Sequence, residues 1–310
     1  MRKIVFLDAD TIGADIDMSP ISSLGEYTSY PYTKPEEVFE RIQDCDVLIV
    51  NKVIMGKEQI DAAPNLKLIC VAATGTNNID IPYANSKGVI VKNAIGYSTD
   101  SVVQITFSLV MALVNQVAYF DDAVKSGKYS NGRLFTDVSK IFWQLKGKKY
   151  GVVGLGNIGS RVAKIAQAFE MDVVYYPTSG VAHSDEFKAV SLDELMQECD
   201  IVSIHAPLNE RTNDLIKYEH LKQMKKSAYI INLGRGGIIN EADLVQALNE
   251  NLIAGAGVDV FTKEPLPKDS PYFNIKDMSK VILTPHIGWA SQEARTCLVE
   301  KIAENIRNNS

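Results

Sequence analysis

No uninterrupted apolar run in this chain reaches the roughly 20 residues that a membrane-spanning helix needs. Nor is there a block of Lys and Arg: the formal charge is −6. That argues against a nucleic-acid partner, because neutralising phosphates takes clustered cations. It leaves room for a phosphorylated cofactor, which backbone N–H groups can hold. Cysteine is scarce too. Cys45, Cys70, Cys199 and Cys297 have no metal-site spacing, and all four are expected to be reduced thiols without a role. The opening Met1-Arg2-Lys3-Ile4-Val5-Phe6-Leu7-Asp8 starts like a signal peptide, but Asp8 and Asp10 end its apolar part early. A cytoplasmic protein is expected.

What is present is ordinary globular material. The 310 residues suffice for two domains of about 100–200 each. Hydrophobic residues make up 46% and charged ones 23%, close to the charged share of about 25% in globular proteins. Disorder and coiled coil are poor readings of that balance.

Residues 1–97 alternate apolar runs at 4–7, 47–50, 68–71 and 89–91 with helical patterns, of which 35–42 starts on a proline suited to a first turn. Such alternation predicts a parallel sheet. Residues 99–120 predict one long helix, apolar nearly all round and therefore buried on more than one side, between domains or between subunits. Residues 128–146 carry Tyr129, Leu134, Phe135, Ile141, Phe142 and Trp143 without a period. They predict either an exposed arm for a partner or a segment folded back on its own domain. From 148 to 284 the alternation restarts, with strands expected at 150–153, 173–176, 201–205, 229–233, 255–260 and 281–283. Six strands with helices between them match a complete dinucleotide-binding domain. The last helix, 291–308, cannot form a domain alone and is expected to pack back on the first.

The expected fold class is α/β: two doubly wound parallel-sheet domains, a Rossmann nucleotide domain (98–285) inserted into a flavodoxin-like substrate domain (1–97 and 286–310). The cleft between the two is expected to hold the substrate.

Gly154-Leu155-Gly156-Asn157-Ile158-Gly159 follows a predicted strand and opens an amphipathic helix burying Ile158, Val162, Ile165, Ala166 and Phe169. In this context the glycines permit the tight turn, the approach of a pyrophosphate and the close packing of helix on strand. Helix N-terminal N–H groups would then face the phosphates. At the end of the next strand, where an acid usually holds the ribose, the chain has Pro177, followed by Thr178 and Ser179. There is no carboxylate to repel a 2′-phosphate and no adjacent arginine to attract one. NAD is preferred, and NADP stays open.

Three further residues each follow a predicted strand: Arg235, Glu264 and His286. In open α/β sheets, ligands bind beyond the carboxyl ends of the strands. A guanidinium holds a carboxylate bidentately. A carboxylate beside an imidazolium favours its charged form, and the pair can hand a proton to a developing alkoxide. A dinucleotide loop with a cation, a carboxylate and an imidazole points to hydride transfer to a small anionic carbonyl compound. Taken alone, Arg235 also reads as a surface arginine in a turn, and His286 as an ordinary core or surface histidine. His205, in Ser203-Ile204-His205-Ala206-Pro207, is the rival imidazole and is read as lining the adenosine side. Asp259 reads either as an acceptor for the nicotinamide amide or as a helix N-cap.

These residues in this order resemble the D-isomer-specific 2-hydroxy acid dehydrogenase family over essentially the whole chain. The specific pieces are Val152 to Gly159, Ile231-Asn232-Leu233-Gly234-Arg235-Gly236, Gly257 to Phe261 with Glu264-Pro265-Leu266-Pro267, and Thr284-Pro285-His286-Ile287-Gly288. The resemblance implies Arg235 for carboxylate and carbonyl binding, Glu264 as partner and His286 as acid/base. It also implies a homodimer built on the nucleotide domains, no metal, and backbone N–H groups of Thr74 and Gly75 on the substrate carboxylate. The expected cofactor contacts are Gly154, Gly156, Asn157, Ile158, Gly159, Pro177, Thr178, Ser179, His205, Ala206, Pro207, Thr212, Leu233, Gly234 and Asp259.

Residues 71–75 carry none of the positive charge a phosphorylated substrate needs. The runs 73–80 and 286–291 look like those of glycerate dehydrogenases, also called hydroxypyruvate reductases, with Trp289 either shaping the pocket or plain packing. A D-lactate-type or broad 2-oxo acid reductase is the alternative. A different class, a nucleotide-sensing binding protein like the C-terminal-binding-protein corepressors, is set lower because no long disordered tail or partner-binding extension is seen.

Overall fold

Short runs of Val, Ile and Leu between turn residues become strands buried on both faces, which is what parallel sheets require. The computed structural model describes residues 1–309. It divides into two units, Met1–Ser98 with Trp289–Ser310, and Thr99–Gly288. The chain thus passes from one unit to the other after Ser98 and after Gly288, against the expected 97/98 and 285/286, and His286 is carried by the second unit.

The first unit holds five parallel strands, β1 (Lys3–Phe6), β2 (Glu26–Ser29), β3 (Val47–Val50), β4 (Leu68–Val71) and β5 (Ile90–Asn93), in the order β2-β1-β3-β4-β5. That is the flavodoxin-like order. β2 has no counterpart in the sequence reading: Glu-Tyr-Thr-Ser is an exposed edge strand without an apolar run. Residues 35–42 form a 3₁₀ turn, Pro35–Glu37, and a short α-helix, Val38–Ile42, rather than one helix. The terminal helix Gln292–Asn308 is capped by the Ser291 hydroxyl and buries Leu298, Val299, Ile302, Ala303 and Ile306 against Ile4, Phe6 and Leu68. Trp289 meets Tyr97 edge to face at 6.3 Å in this unit. After β4, the Thr74 hydroxyl donates to the carbonyl of Ala94 (3.0 Å) and the Asn93 amide donates to the carbonyl of Thr74 (2.6 Å).

The second unit holds seven parallel strands: β6 (Lys149–Val153), β7 (Asp172–Tyr176), β8 (Lys188–Ala189), β9 (Ile201–Ile204), β10 (Tyr229–Asn232), β11 (Gly255–Val258) and β12 (Val281–Leu283). Their order is β12-β11-β10-β9-β6-β7-β8. This is the doubly wound dinucleotide order with one strand added beyond the sixth. The two-residue β8 is too short to leave a pattern. Register aligns the carboxyl ends: Val153 pairs with Tyr176 and Ile204, Ile204 with Asn232, Asn232 with Val258, and Val258 with Leu283. Every loop bearing a candidate residue of this unit therefore leaves the sheet at one edge.

The predicted long helix is two helices, Thr99–Val114 and Val117–Lys125, bent by 61° where Gln116 turns left-handed (φ 53°). Val102, Val103, Leu109, Val110 and Leu113 pack with Tyr150, Tyr229 and Ile231 of its own unit, which explains the broad apolar face without a second domain. Among the described residues, no single helix is long and apolar enough to cross a membrane. The arm after these helices has only one 3₁₀ turn, Tyr129–Asn131, and leaves Phe135 90% and Ile141 89% exposed. All four cysteines are free. Burial pushes the thiols of Cys45, Cys70 and Cys199 up to about 12, so they stay protonated at neutral pH.

Candidate active site

The strand order reverses between β6 and β9, and the dinucleotide fingerprint lies at that point. After β6 the chain turns at Gly154 (φ 89°), runs extended through Gly156 and enters the helix Asn157–Ala168. A Cβ on Gly159 would stand 2.1 Å from the Gly154 carbonyl oxygen, so only glycine lets this helix pack so close to the strand. At Gly156 a Cβ would meet no atom beyond its immediate chain neighbours within 4 Å, and the helix Asn157–Ala168 begins there.

A cavity of about 580 Å³ begins at this turn. Of the sequence-predicted residues, Gly154, Gly156, Thr178, Ser179, His205, Ala206 and Pro207 line it. His205 places Nε2 2.9 Å from the Ser203 hydroxyl, while its buried Nδ1 has no partner. Burial pushes the ring down to about 3, so it is a neutral imidazole. An open glycine cradle, helix N–H groups and an orphaned ring nitrogen fit a dinucleotide. Thr212 is buried: its hydroxyl donates to the Pro207 carbonyl (2.6 Å) and accepts from the Asn209 N–H (2.8 Å), holding the loop in shape. Leu233 is likewise buried, in the apolar core. Pro177 begins a turn whose carbonyl accepts the Gly180 N–H (2.9 Å).

The cavity also has a wall the sequence reading missed. His183, Asn209, Glu210 and Arg211 line it, and the Arg211 Nη1 donates to the Ser179 carbonyl at 2.6 Å. No arginine adjoins the Pro177 turn in sequence, but one reaches Ser179 in space. Arg211 lies 32 residues further on, in the loop after β9, and only the sheet order brings it there.

Beyond β10 the buried Asn232 shapes the turn that carries Arg235. Its Oδ1 accepts the Gly234 N–H (3.0 Å) and its Nδ2 donates to the Arg235 carbonyl (3.0 Å). The Arg235 guanidinium folds back to the Gly234 carbonyl at 2.9 Å. A Cβ on Gly236 would fall 1.9 Å from the Phe261 carbonyl carbon, so this turn rests directly on the segment leading to Glu264.

Glu264 accepts the Phe261 N–H through Oε1 (3.0 Å), and its Oε2 lies 2.7 Å from His286 Nδ1. The two side chains are 27% and 23% exposed. His286 has φ 55°, an uncommon left-handed backbone for a residue with a Cβ. Asp259 supports it. This carboxylate, 1% exposed, accepts the Thr284 hydroxyl (2.5 Å) and the Ile287 N–H (2.9 Å) on Oδ1, and the Gly288 N–H (2.8 Å) on Oδ2. Burial raises its pKa, against the lowering effect of those donors and of His286. Asp259 thus caps no helix: it fixes the turn on which His286 stands. With Nδ1 held by a carboxylate, the imidazole is arranged to exchange a proton through Nε2.

Residues 107–288 match the family model described as D-isomer specific 2-hydroxyacid dehydrogenase, NAD binding domain. The chain is 36% identical to a hydroxypyruvate reductase of Blautia hydrogenotrophica and 34% identical to a glycerate dehydrogenase of Methylorubrum extorquens, in each case over 98% of this chain and 95% of the relative. It is 35% identical to a glyoxylate reductase of Korarchaeum cryptofilum, over 87% of this chain and 81% of that one. Among solved structures, a D-lactate dehydrogenase from Aquifex aeolicus, complexed with NAD and lactic acid, superposes with a TM-score of 0.86 at 26% identity, covering 98% of this chain and 94% of that one.

Proposed function

This chain belongs to the D-isomer-specific 2-hydroxyacid dehydrogenase family, and we propose that within it the protein is an NADH-dependent reductase of a small 2-oxo acid, hydroxypyruvate first and glyoxylate second. The observation that carries the reading is the 2.7 Å contact of Glu264 with His286 in the unit that also holds the dinucleotide fingerprint. NAD, when bound, supplies or accepts the hydride at the substrate carbon that bears the oxygen. Arg235 holds the substrate carboxylate and polarises its carbonyl. His286 gives its Nε2 proton to the developing alkoxide, while Glu264 keeps the ring oriented and balances its charge. Run in reverse, the same imidazole takes the hydroxyl proton. Thr74 and Gly75 are carried as substrate-binding residues on the resemblance alone, as is a nicotinamide contact from Asp259.

The absence of a basic residue from 71–75 supports an unphosphorylated substrate. Relatives named hydroxypyruvate reductase, glycerate dehydrogenase and glyoxylate reductase support the two preferred ones. We extend the reading to a homodimer, supported by the exposed Leu134, Phe135, Val138, Ile141 and Phe142 of the arm. Phe135→Asp with Ile141→Asp is expected to halve the mass seen by light scattering; an unchanged mass would remove the arm from assembly.

The deciding experiment is the initial rate of NADH oxidation with hydroxypyruvate, glyoxylate and pyruvate side by side. Hydroxypyruvate is expected to give the highest kcat/KM. Pyruvate ahead of both would move the reading to a D-lactate-type enzyme, and no turnover with any of them would overturn it.

A further inference from the structure

The first unit repeats, around Asp8, the device that holds His286 in the second. Its strand order reverses between β1 and β3. Asp8 follows the carboxyl end of β1 at that point, where Phe6 pairs with Ile49. The residue is 4% exposed. Its Oδ1 accepts the Asn51 N–H (2.8 Å), and its Oδ2 accepts those of Lys52 (2.6 Å) and Val53 (3.3 Å). Burial raises the pKa of Asp8 against the lowering effect of these donors, as it does for Asp259. A buried carboxylate must keep such donors, so Asp8 fixes the turn that follows β3.

That turn carries the loop after β4. The Asn78 side-chain amide donates to the Val53 carbonyl (2.8 Å) and to the Asn51 carbonyl (3.4 Å). The Asn78 backbone carbonyl accepts the Met55 N–H (2.8 Å), and the Met55 carbonyl accepts the Asp80 N–H (3.0 Å). At its other end the loop is held by the end of β5, through the Asn93 amide on the Thr74 carbonyl and the Thr74 hydroxyl on the Ala94 carbonyl. Residues 74–78 are thus clamped on two sides, and one clamp leads back to Asp8. The N–H groups of Thr74, Gly75 and Thr76 donate to no protein acceptor among the described residues, as a loop that holds a carboxylate requires.

We propose that Asp8 is a positioning residue for the reaction: through the 51–53 turn and the Asn78 amide it sets the Thr74-Gly75 backbone that receives the substrate carboxylate. Hydrogen bonds weaken steeply with distance and angle, so donors that drift with the loop lose the carboxylate. That contact is made alike before and during hydride transfer, so its loss falls on KM more than on kcat. The inference rests on the reading of Thr74 and Gly75 as substrate-binding residues, and it holds for whichever 2-oxo acid is reduced.

The test compares the wild type with Asp8→Asn, Asn78→Ala and the double variant. Four quantities are read: kcat and KM for the 2-oxo acid, the inhibition constant of oxamate (a carboxylate of the same shape that cannot be reduced), the Kd for NADH, and the melting temperature. Each single change is expected to raise KM and the oxamate constant by about fivefold or more, with kcat altered by less than about threefold. The Kd for NADH is expected to stay within about twofold of the wild type, since no contact of this chain reaches the dinucleotide cavity. Because both residues act on one path, the double variant is expected to raise KM no further than the larger single change. A lower melting temperature with unchanged KM and oxamate constant would make Asp8 a purely structural residue and overturn the proposal. Independent, multiplying effects of the two changes would overturn it as well. Asn78→Ala breaks the same path without touching the buried carboxylate, so it decides the question if Asp8→Asn fails to fold. Wild-type protein that turns over no 2-oxo acid would overturn the functional reading and this inference with it.

Discussion

Glu264 Oε2 stands 2.7 Å from His286 Nδ1, across a sequence separation of 22 residues, and this contact commits Nδ1 of the imidazole to the carboxylate. The carboxylate follows β11 and the imidazole follows β12. These neighbouring strands end in register, Val258 against Leu283, so the two loops start from the same edge.

His286→Ala should lower kcat by about 10²–10⁴-fold, the usual size of a lost general acid–base, while the Kd for NADH stays close to that of the wild type. Glu264→Gln keeps a hydrogen-bond acceptor but removes the charge, so its loss of kcat should be smaller. Steady-state rates beside fluorescence titration check both. Normal turnover in His286→Ala would take His286 out of the mechanism.

Asp259 is expected to act through His286. Asp259→Asn replaces one of two accepting oxygens by an NH₂ group that must face an N–H or O–H donor of the turn. An unsatisfied buried donor costs about 1–3 kcal/mol. The melting temperature should therefore fall, and kcat should fall with it as His286 loses its left-handed backbone. Asp259→Asn with wild-type stability and kcat would show that the turn holds itself.

Gly159→Ala tests the helix–strand approach. Its Cβ, 2.1 Å from the Gly154 carbonyl oxygen, must push the helix Asn157–Ala168 off β6. Overpacking of this kind costs about 1–3 kcal/mol, and the cradle is displaced with the helix. Lower thermal stability together with weaker NADH binding is the expected outcome. Gly156→Ala, with open space at its Cβ, should weaken binding without a comparable loss of stability.

The neutral His205 makes stability depend on pH in a definite direction. Its ordinary value is 6.5 and burial pushes it down to about 3. As pH falls through 6.5, the unfolded chain takes up a proton that the folded one does not accept until about 3. The unfolded state binds more protons in that window, so stability falls on acidification, by up to about 1.4 kcal/mol per pH unit for one proton. Urea midpoints at pH 7 and pH 5 should drop further for the wild type than for His205→Asn. Parallel drops would mean that His205 protonates normally in the folded protein.

The sequence by itself determined what chain-local physics can encode. Apolar runs, in most cases buried on both faces, made ten of the twelve strands legible; the exposed β2 and the two-residue β8 leave no such run. The glycine fingerprint was legible because its constraints are steric and lie within six residues. Arg235, Glu264 and His286 were legible as candidates because each follows a strand and carries a charge or an imidazole. Their relation was not, since a 2.7 Å contact between two loops depends on strand order and register. Tertiary structure alone turned Asp259 from a capping candidate into the support of His286, split the 99–120 helix at Gln116, and laid Arg211 on a turn 32 residues away. Those outcomes depend on where loops meet in space, a contact between distant parts of the chain that no local pattern of residues records.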